Sequence, residues 1–575
     1  MGPLRTFQSR LPNFARALSP AFGILAKALS PAFGILAKAL SSAFGILAKA
    51  LSRGFGILAK ALSRGFGILA KALSRGFAIL QKAFGTKPTL LVFITVVAAY
   101  SLCAWDRMLG PSPQFHFVDL AQSFLDGRLD TDTPRERSSN AQEGDARGYR
   151  EALARTEKAG GWNDWAFVRK LTLKDGEVVR GRFPWEGGEG ERRHIFYGDD
   201  NRELKIVVPN DLARTCGETG RGLCDERVYY ISFPPFPALA MLPVVAVFGY
   251  DTNDVLITVL VGGLNAVLLF WFLQLLVLRG HSKRTTRDNV LLTIAFALGT
   301  VTFFSSVRGE VWFTALVFGV ALNIGFMLAA LDLRHPIVAG LLLGCGFATR
   351  TPVLFCGAFF AWQLFFKDNR WDLALMKSRW REILVTGTKF ALPLGAVLIA
   401  LAWYNHARFG DSGEFGHAYL QGSAYDRVRD HGMFSFTYLN RNLLSALLSM
   451  PRFTTDSPFV MVSNHGLGLI FTTPLFLYLL WPREQTALRW ALWAAVAAAA
   501  IPGLFYQNTG WIQFGFRFAM DYMPYLFGLL AIGGRPLGRT ATALIVFGII
   551  VNLFGAITFG RMGIFYYDTV MPGAT

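Results

Sequence analysis

The chain has 575 residues, of which 53% are hydrophobic and only 17% charged, with a mean hydropathy of +0.37. Several apolar runs reach the roughly 20 residues that cross a bilayer, so the composition reads as a polytopic membrane protein. The net charge of +18 does not mark a nucleic-acid binder, because residues 1–105 hold thirteen Lys or Arg and no Asp or Glu, and the remainder carries only +5. Basic charge beside the first span is what the positive-inside rule places on the cytoplasmic side.

Residues 1–87 form a cytoplasmic region built on 11-residue repeats. Six copies, from ALSPAFGILAK to ALSRGFAILQK, fill residues 17–82. Eleven residues make three helical turns, so every copy presents the same face. In the fourth copy Ser52, Arg53, Gly56 and Lys60 share one arc, while Leu51, Phe55, Ile57, Leu58 and Ala59 fill the rest. The pattern predicts a cationic amphipathic helix lying in the headgroup plane and binding anionic lipid. Pro20 and Pro31 oppose continuity in the first two copies. Near-identical copies also read as a recent expansion with little function.

The first span is expected within 88–105 as an uncleaved anchor, followed by an extracytoplasmic region over 106–254 and a transmembrane bundle over 255–575. In the loop, Gln114 to Asp130 predicts a short amphipathic helix on the membrane surface. Phe117, Leu120, Ala121, Phe124 and Leu125 recur at helical spacing, and His116, Asp119, Gln122, Ser123 and Asp126 form the other face. Two hairpins are expected after it. WAFVRKLTLKDGEVVRGRFPW turns at Lys174–Glu177, and IFYGDDNRELKIVVP forms a second, making a small β-rich insertion. Trp162-Asn163-Asp164-Trp165 reads either as a sugar contact or as a turn with aromatic packing. Cys216 and Cys224 lie in this loop and can pair in an oxidising compartment. Cys103, Cys345 and Cys356 lie in apolar spans as small core residues.

Tyr229 to Pro243 is apolar but broken by prolines. If 236–249 crossed, the basic run Arg279 to Arg284 would fall outside, against the charge rule. A juxtamembrane 236–249 puts that run, 367–382, Arg483 to Arg489 and Arg535 to Arg539 inside. The fold expected is therefore an all-α polytopic membrane protein with about eleven transmembrane helices. Its N-terminus is cytoplasmic, its C-terminus is extracytoplasmic, and its place is the plasma (inner) membrane. Outward-facing polar groups then collect on one side: Asp106, His116, Asp119, Arg308, Glu310, Arg350, His417, Arg517 and Asp521. Ionisable groups gathered at span ends point to a site. Arg517 and Asp521 stand four residues apart, a spacing that serves a salt bridge or a ligand equally. The Gly-, Tyr- and His-rich stretch 404–465 reads as a cover for the site or as a connector.

One family resemblance rests on His116, Phe117, Ala121, Gly127 and Pro234-Pro235. An N-terminal span, an HF…A…G helix and a loop ending in PP resemble the layout of polyprenol-dependent glycosyltransferases of the GT-C superfamily. These include protein O-mannosyltransferases and aminoarabinose transferases. The resemblance implies a polyprenyl-phosphate sugar donor, with arginines on its phosphate and a carboxylate as general base. Asp119, Glu310 and Asp106 are the candidate catalytic carboxylates. His116, Arg308, Arg350, Arg517 and Asp521 are the candidate substrate-binding residues. No metal ligand set is read; cofactors stay open between none and a divalent cation. The departure is that Pro113 and Gln114 occupy the place of the family's acidic pair. The rival reading is a non-enzymatic transporter or lipid-binding protein. No nucleic acid is expected as a partner.

A peptide covering Ala50 to Lys82 is expected to become helical with anionic vesicles, and to bind less tightly as salt screens its cations. Binding equal on neutral and anionic vesicles, by circular dichroism and co-sedimentation, would remove the surface-anchor reading.

Overall fold

Apolar stretches bounded by caps and breakers set the helices. The computed structural model describes residues 86–131, 151–152, 154–155, 165–183, 194–200, 202–216, 224–366, 372–420, 428 and 430–568. The 11-residue repeats lie outside the described residues. Helix α1 (Thr86–Ala104) leads to a short 3-10 turn and then to α2 (His116–Leu125). α2 ends in a Schellman motif: Gly127 N donates to Phe124 O at 3.2 Å and Arg128 N to Ser123 O at 2.8 Å. Gly127 sits at φ 74°, a conformation that costs glycine little, which gives the motif glycine a physical role.

The expected hairpins follow. β1 (Trp165–Thr172), β2 (Val178–Arg182), β3 (Ile195–Gly198), β4 (Glu203–Lys205) and β5 (Asp225–Ile231) form one antiparallel sheet in the order β4-β3-β2-β1-β5. Trp165 pairs with Ile231 and Leu171 with Asp225. Cys216 and Cys224 are joined by a disulfide. One sheet face buries Leu171, Val179 and Phe196, and the other packs Ala166, Val168 and Tyr230 on Phe409 and Tyr419.

The apolar helices come next. They are α3 (Phe236–Phe248), α4 (Asp254–Leu278), α5 (Thr286–Leu298), α6 (Thr302–Ser306), α7 (Val311–Ala330) and α8 (Pro336–Phe347). Asn253 caps α4 by accepting from Leu256 N at 2.9 Å, and Thr285 with Asp288 forms a capping box on α5. After α9 (Ala358–Phe365) and α10 (Trp380–Phe409), a small sheet joins β6 (Arg452–Phe453), β7 (Val460–Ser463) and β8 (Tyr566–Tyr567). Between them run α11 (Leu488–Leu504), α12 (Met523–Ile532) and α13 (Arg539–Thr558).

Cross-links show which helix ends lie together. Trp271 Nε1 reaches Thr89 Oγ1 at 3.1 Å, and Asn253 Nδ2 reaches Met108 O at 2.8 Å, so α1 and α4 are antiparallel. His281 meets Asp332 at 2.9 Å, Lys283 meets Glu484 at 3.3 Å, and Ser282 Oγ donates to Ala531 O at 3.0 Å. The basic runs around Arg279–Arg284, Arg483–Arg489 and Arg535 therefore share one end of the bundle. Asp106, Ser112, Asp254, Arg308, Glu310 and Arg561 share the other. α3 starts there, with Phe236 N on Ala348 O at 2.9 Å, and finishes there, with Tyr250 on Asp119. It does not traverse the bundle.

Two expectations need correction. Among the described residues, five helical stretches are long and apolar enough to cross a membrane by themselves, fewer than the eleven expected: 86–104, 254–278, 311–333, 380–409 and 539–558. Others are short because glycine, proline or 3-10 turns interrupt them, as at Gly299 and at the 3-10 stretch Thr351–Gly357 before α9. Further, the polar face of α2 meets water only in part: His116, Asp119 and Ser123 are buried, because the sheet and α3 close over them, while Gln122 is half-buried and Asp126 exposed.

In a chain freed of Cys103, Cys345 and Cys356, Lys283→Cys and Ser412→Cys should label from opposite sides of the membrane. Both reacting with an impermeant reagent in intact cells would contradict the end-to-end arrangement.

Candidate site at the polar end of the bundle

Helical spacing places His116 and Asp119 one turn apart on α2, and the tertiary fold supplies their partners. Asp119 is fully buried; Trp165 Nε1 donates to its Oδ2 at 3.0 Å and the Tyr250 hydroxyl to its Oδ1 at 2.9 Å. His116 stacks on Trp165 with centroids 4.0 Å apart. Burial holds the imidazole neutral, its pKa pulled down to about 3. Phe115 meets both Trp165 and Tyr250 edge-on, at 5.9 and 5.8 Å. A carboxylate enclosed this way fixes α2 to β1 and to the turn after α3. It presents no face to an acceptor.

The arginines form a different construction. Arg308 grips Glu310 through Nε, at 2.9 Å, and Nη2, and sends Nη1 to Phe559 O at 3.2 Å. Burial alone would raise the Glu310 carboxyl, but the Arg308 charge and hydrogen bonds hold it below its ordinary value. Arg350 grips Asp521 through Nε and Nη2, both at 2.8 Å. Its Nη1 has no acceptor among the described residues. Two rings join these pairs: Phe313 lies under Arg308 at 4.9 Å and Arg517 at 5.2 Å, and Phe518 under Arg517 at 5.7 Å and Arg350 at 5.8 Å. Five of the residues singled out in the sequence, Arg308, Glu310, Arg350, Arg517 and Asp521, thus make one continuous strip.

Asp106 sits beside the strip, gripped by Arg561 through Nε at 2.9 Å and through Nη2, which lowers its pKa. Its side chain is 36% exposed, against 10% for Glu310. Arg107 links the two through Phe559 O at 2.5 Å and Val307 O at 3.4 Å. His417 is exposed in a short 3-10 turn, beside the sheet contact of Tyr419. Arg517 and Asp521 do not share a face: they lie on a 3-10 turn, where 120° per residue turns i+4 away from i.

Sequence reasoning passed over Arg107, Arg561, Trp165 as a carboxylate partner, Tyr250, Phe313 and Phe518. Only Arg107 carried a local signal, adjacency to Asp106. Trp162 to Asp164 lie outside the described residues; Trp165 itself is a packing residue. No group of three His, Cys, Asp or Glu among the described residues is placed to hold a metal ion. No family model, curated protein or solved structure matches the chain.

Asp119→Asn places an amide N–H among donors and should cost about 1–3 kcal/mol, read as a lower melting temperature. An unchanged melting temperature would refute the tethering role. His116 adds a pH dependence. Between about 3 and 6.5 the unfolded chain binds the proton that the buried ring refuses, so stability falls as pH drops through that window. His116→Gln should flatten the slope between pH 7 and 5 by up to about 1.4 kcal/mol per unit.

Proposed function

We propose that this chain is an integral membrane glycosyltransferase that moves a sugar from a polyprenyl-phosphate donor to an acceptor on the extracytoplasmic side. The bundle would pass the membrane eleven times, the short apolar helices completing the five long ones. The observation that carries the reading is the arginine strip. Arg308, Arg517 and Arg350 are held at one end of an apolar bundle, bridged by Phe313 and Phe518. Guanidinium forks match phosphate oxygens and stay charged at every working pH. The unengaged Nη1 of Arg350 supplies a donor for the leaving phosphate.

The acceptor oxygen attacks the anomeric carbon, the carbon–oxygen bond to phosphate breaks, and polyprenyl phosphate leaves with the electron pair. A carboxylate takes the acceptor proton. Glu310, next to Arg308, replaces Asp119 as first choice, and the more exposed Asp106 is second. Asp119 and His116 act as positioning residues. The bidentate pairing of both Glu310 and Asp521 favours the rival, a lipid-phosphate binder without chemistry, since a base held by an arginine is weak.

Purified protein with a panel of hexosyl and pentosyl polyprenyl phosphates separates the two. Transfer requires consumption of a donor, with Asp106→Asn or Glu310→Gln about 100- to 10,000-fold slower per folded molecule, the Glu310 variant also melting lower because it breaks a buried ion pair. Arg350→Gln should raise the donor concentration needed for half-maximal rate. Donor retained without consumption across the panel leaves the binder, and neither retention nor consumption removes both.

A further inference from the structure

At the opposite end of the bundle lies a cleft that the donor site does not use. The segment between α4 and α5, the turn before α11, the end of α12 and the loop before α13 surround a shallow cleft, open to solvent, with an enclosed volume of about 30 Å³. Arg284, Arg489 and Arg535 line it, with Glu484 as the carboxylate and Tyr478, Trp493 and Leu529 among its apolar walls.

Arg284 has a structural task. Its Nη2 donates to Leu530 O at 2.8 Å, offsetting the negative end of α12. Yet the side chain is buried, and its Nε has no hydrogen-bond partner among the described residues. A buried donor without an acceptor is costly, and an anion in the cleft would relieve it. Arg535 gives Nε to Trp481 O at 2.9 Å and lies 5.4 Å over Tyr478, leaving both Nη groups without acceptors among the described residues. Arg489 lies 4.8 Å over Trp490 and likewise meets no acceptor there. Glu484 is drawn to Lys283, at 3.3 Å; its charge and that of Asp288 act on Arg284, but it makes no ion pair within 4 Å with these three arginines among the described residues.

We propose that this cleft binds a phosphate-bearing amphiphile, an anionic phospholipid, with its phosphate among Arg284, Arg489 and Arg535 and its apolar part against Tyr478, Trp493 and Leu529. Arginine forks suit phosphate, and basic pockets between membrane helices hold phosphate headgroups. The aromatic and aliphatic wall favours a lipid over a soluble phosphate.

The full chain in neutral detergent is exposed to equimolar phosphatidylglycerol and phosphatidylcholine, and retained lipid is counted by native mass spectrometry. The wild type should keep one phosphatidylglycerol more than the Arg489→Gln/Arg535→Gln variant, with a preference over phosphatidylcholine about fivefold or more greater. Any lipid held by the N-terminal repeats is common to both, so the difference reads the cleft. The double variant should melt close to the wild type without lipid, because Arg535 gives up a single exposed hydrogen bond, to Trp481 O, and Arg489 gives up none among the described residues; only the wild type should be raised by phosphatidylglycerol. Millimolar inorganic phosphate should leave the bound lipid in place. Displacement by phosphate with no lipid preference would overturn the lipid assignment in favour of a soluble phosphate compound. Identical lipid retention by wild type and variant would overturn the site altogether.

Discussion

A carboxylate removed from water must meet donors, because an unpaired buried charge costs several kcal/mol. Asp119 meets this constraint with one donor from β1, Trp165, and one from the turn after α3, Tyr250. Those residues lie 46 and 131 positions away in sequence. One side chain therefore seats the β-sheet on α2 and keeps α3 folded back toward the end of the bundle where it began. Phe115, Phe117, Leu120, Met241 and Val245 pack around this point and exclude the water that would compete for the carboxylate.

The arginine strip is built on a related economy of solvation. Arg308 and Arg350 are each neutralised by a carboxylate, and the intervals between charges are filled by aromatic rings. A ring face attracts a cation without titrating. The strip holds its geometry through both pairs while the guanidinium groups stay at the polar end. Arg107, Arg561 and the carbonyl of Phe559 extend the same arrangement toward the last helix, tying residues 106–107 to 559–561.

The bundle thus has two differently organised ends. At one, arginines are paired with carboxylates and arenes under a small sheet. At the other, Arg284 caps α12 and, with Arg489 and Arg535, faces a cleft with donors in reserve. The apolar helices between them hold the two charge systems apart, so a ligand at one end acts on the other only through the packing of the helices.

The sequence by itself determined the helices, the hairpins and the grouping of charges by end. Alternation over Trp165 to Arg182 with its Lys174–Glu177 turn, helical spacing in α2, and apolar runs are local patterns that need no distant partner. The nearness of Arg308 to Glu310 belongs with them. What lies opposite each residue was decided only in three dimensions. Asp119, on the face of α2 that looks polar in sequence, is turned inward, because Trp165 and Tyr250 bring donors to it. Asp521 pairs with Arg350 and not with Arg517, because a 3-10 turn rotates the expected neighbour away. Asp106 finds Arg561 across 455 positions. Periodicity reports which residues share a face, whereas packing between segments remote in sequence decides what that face meets.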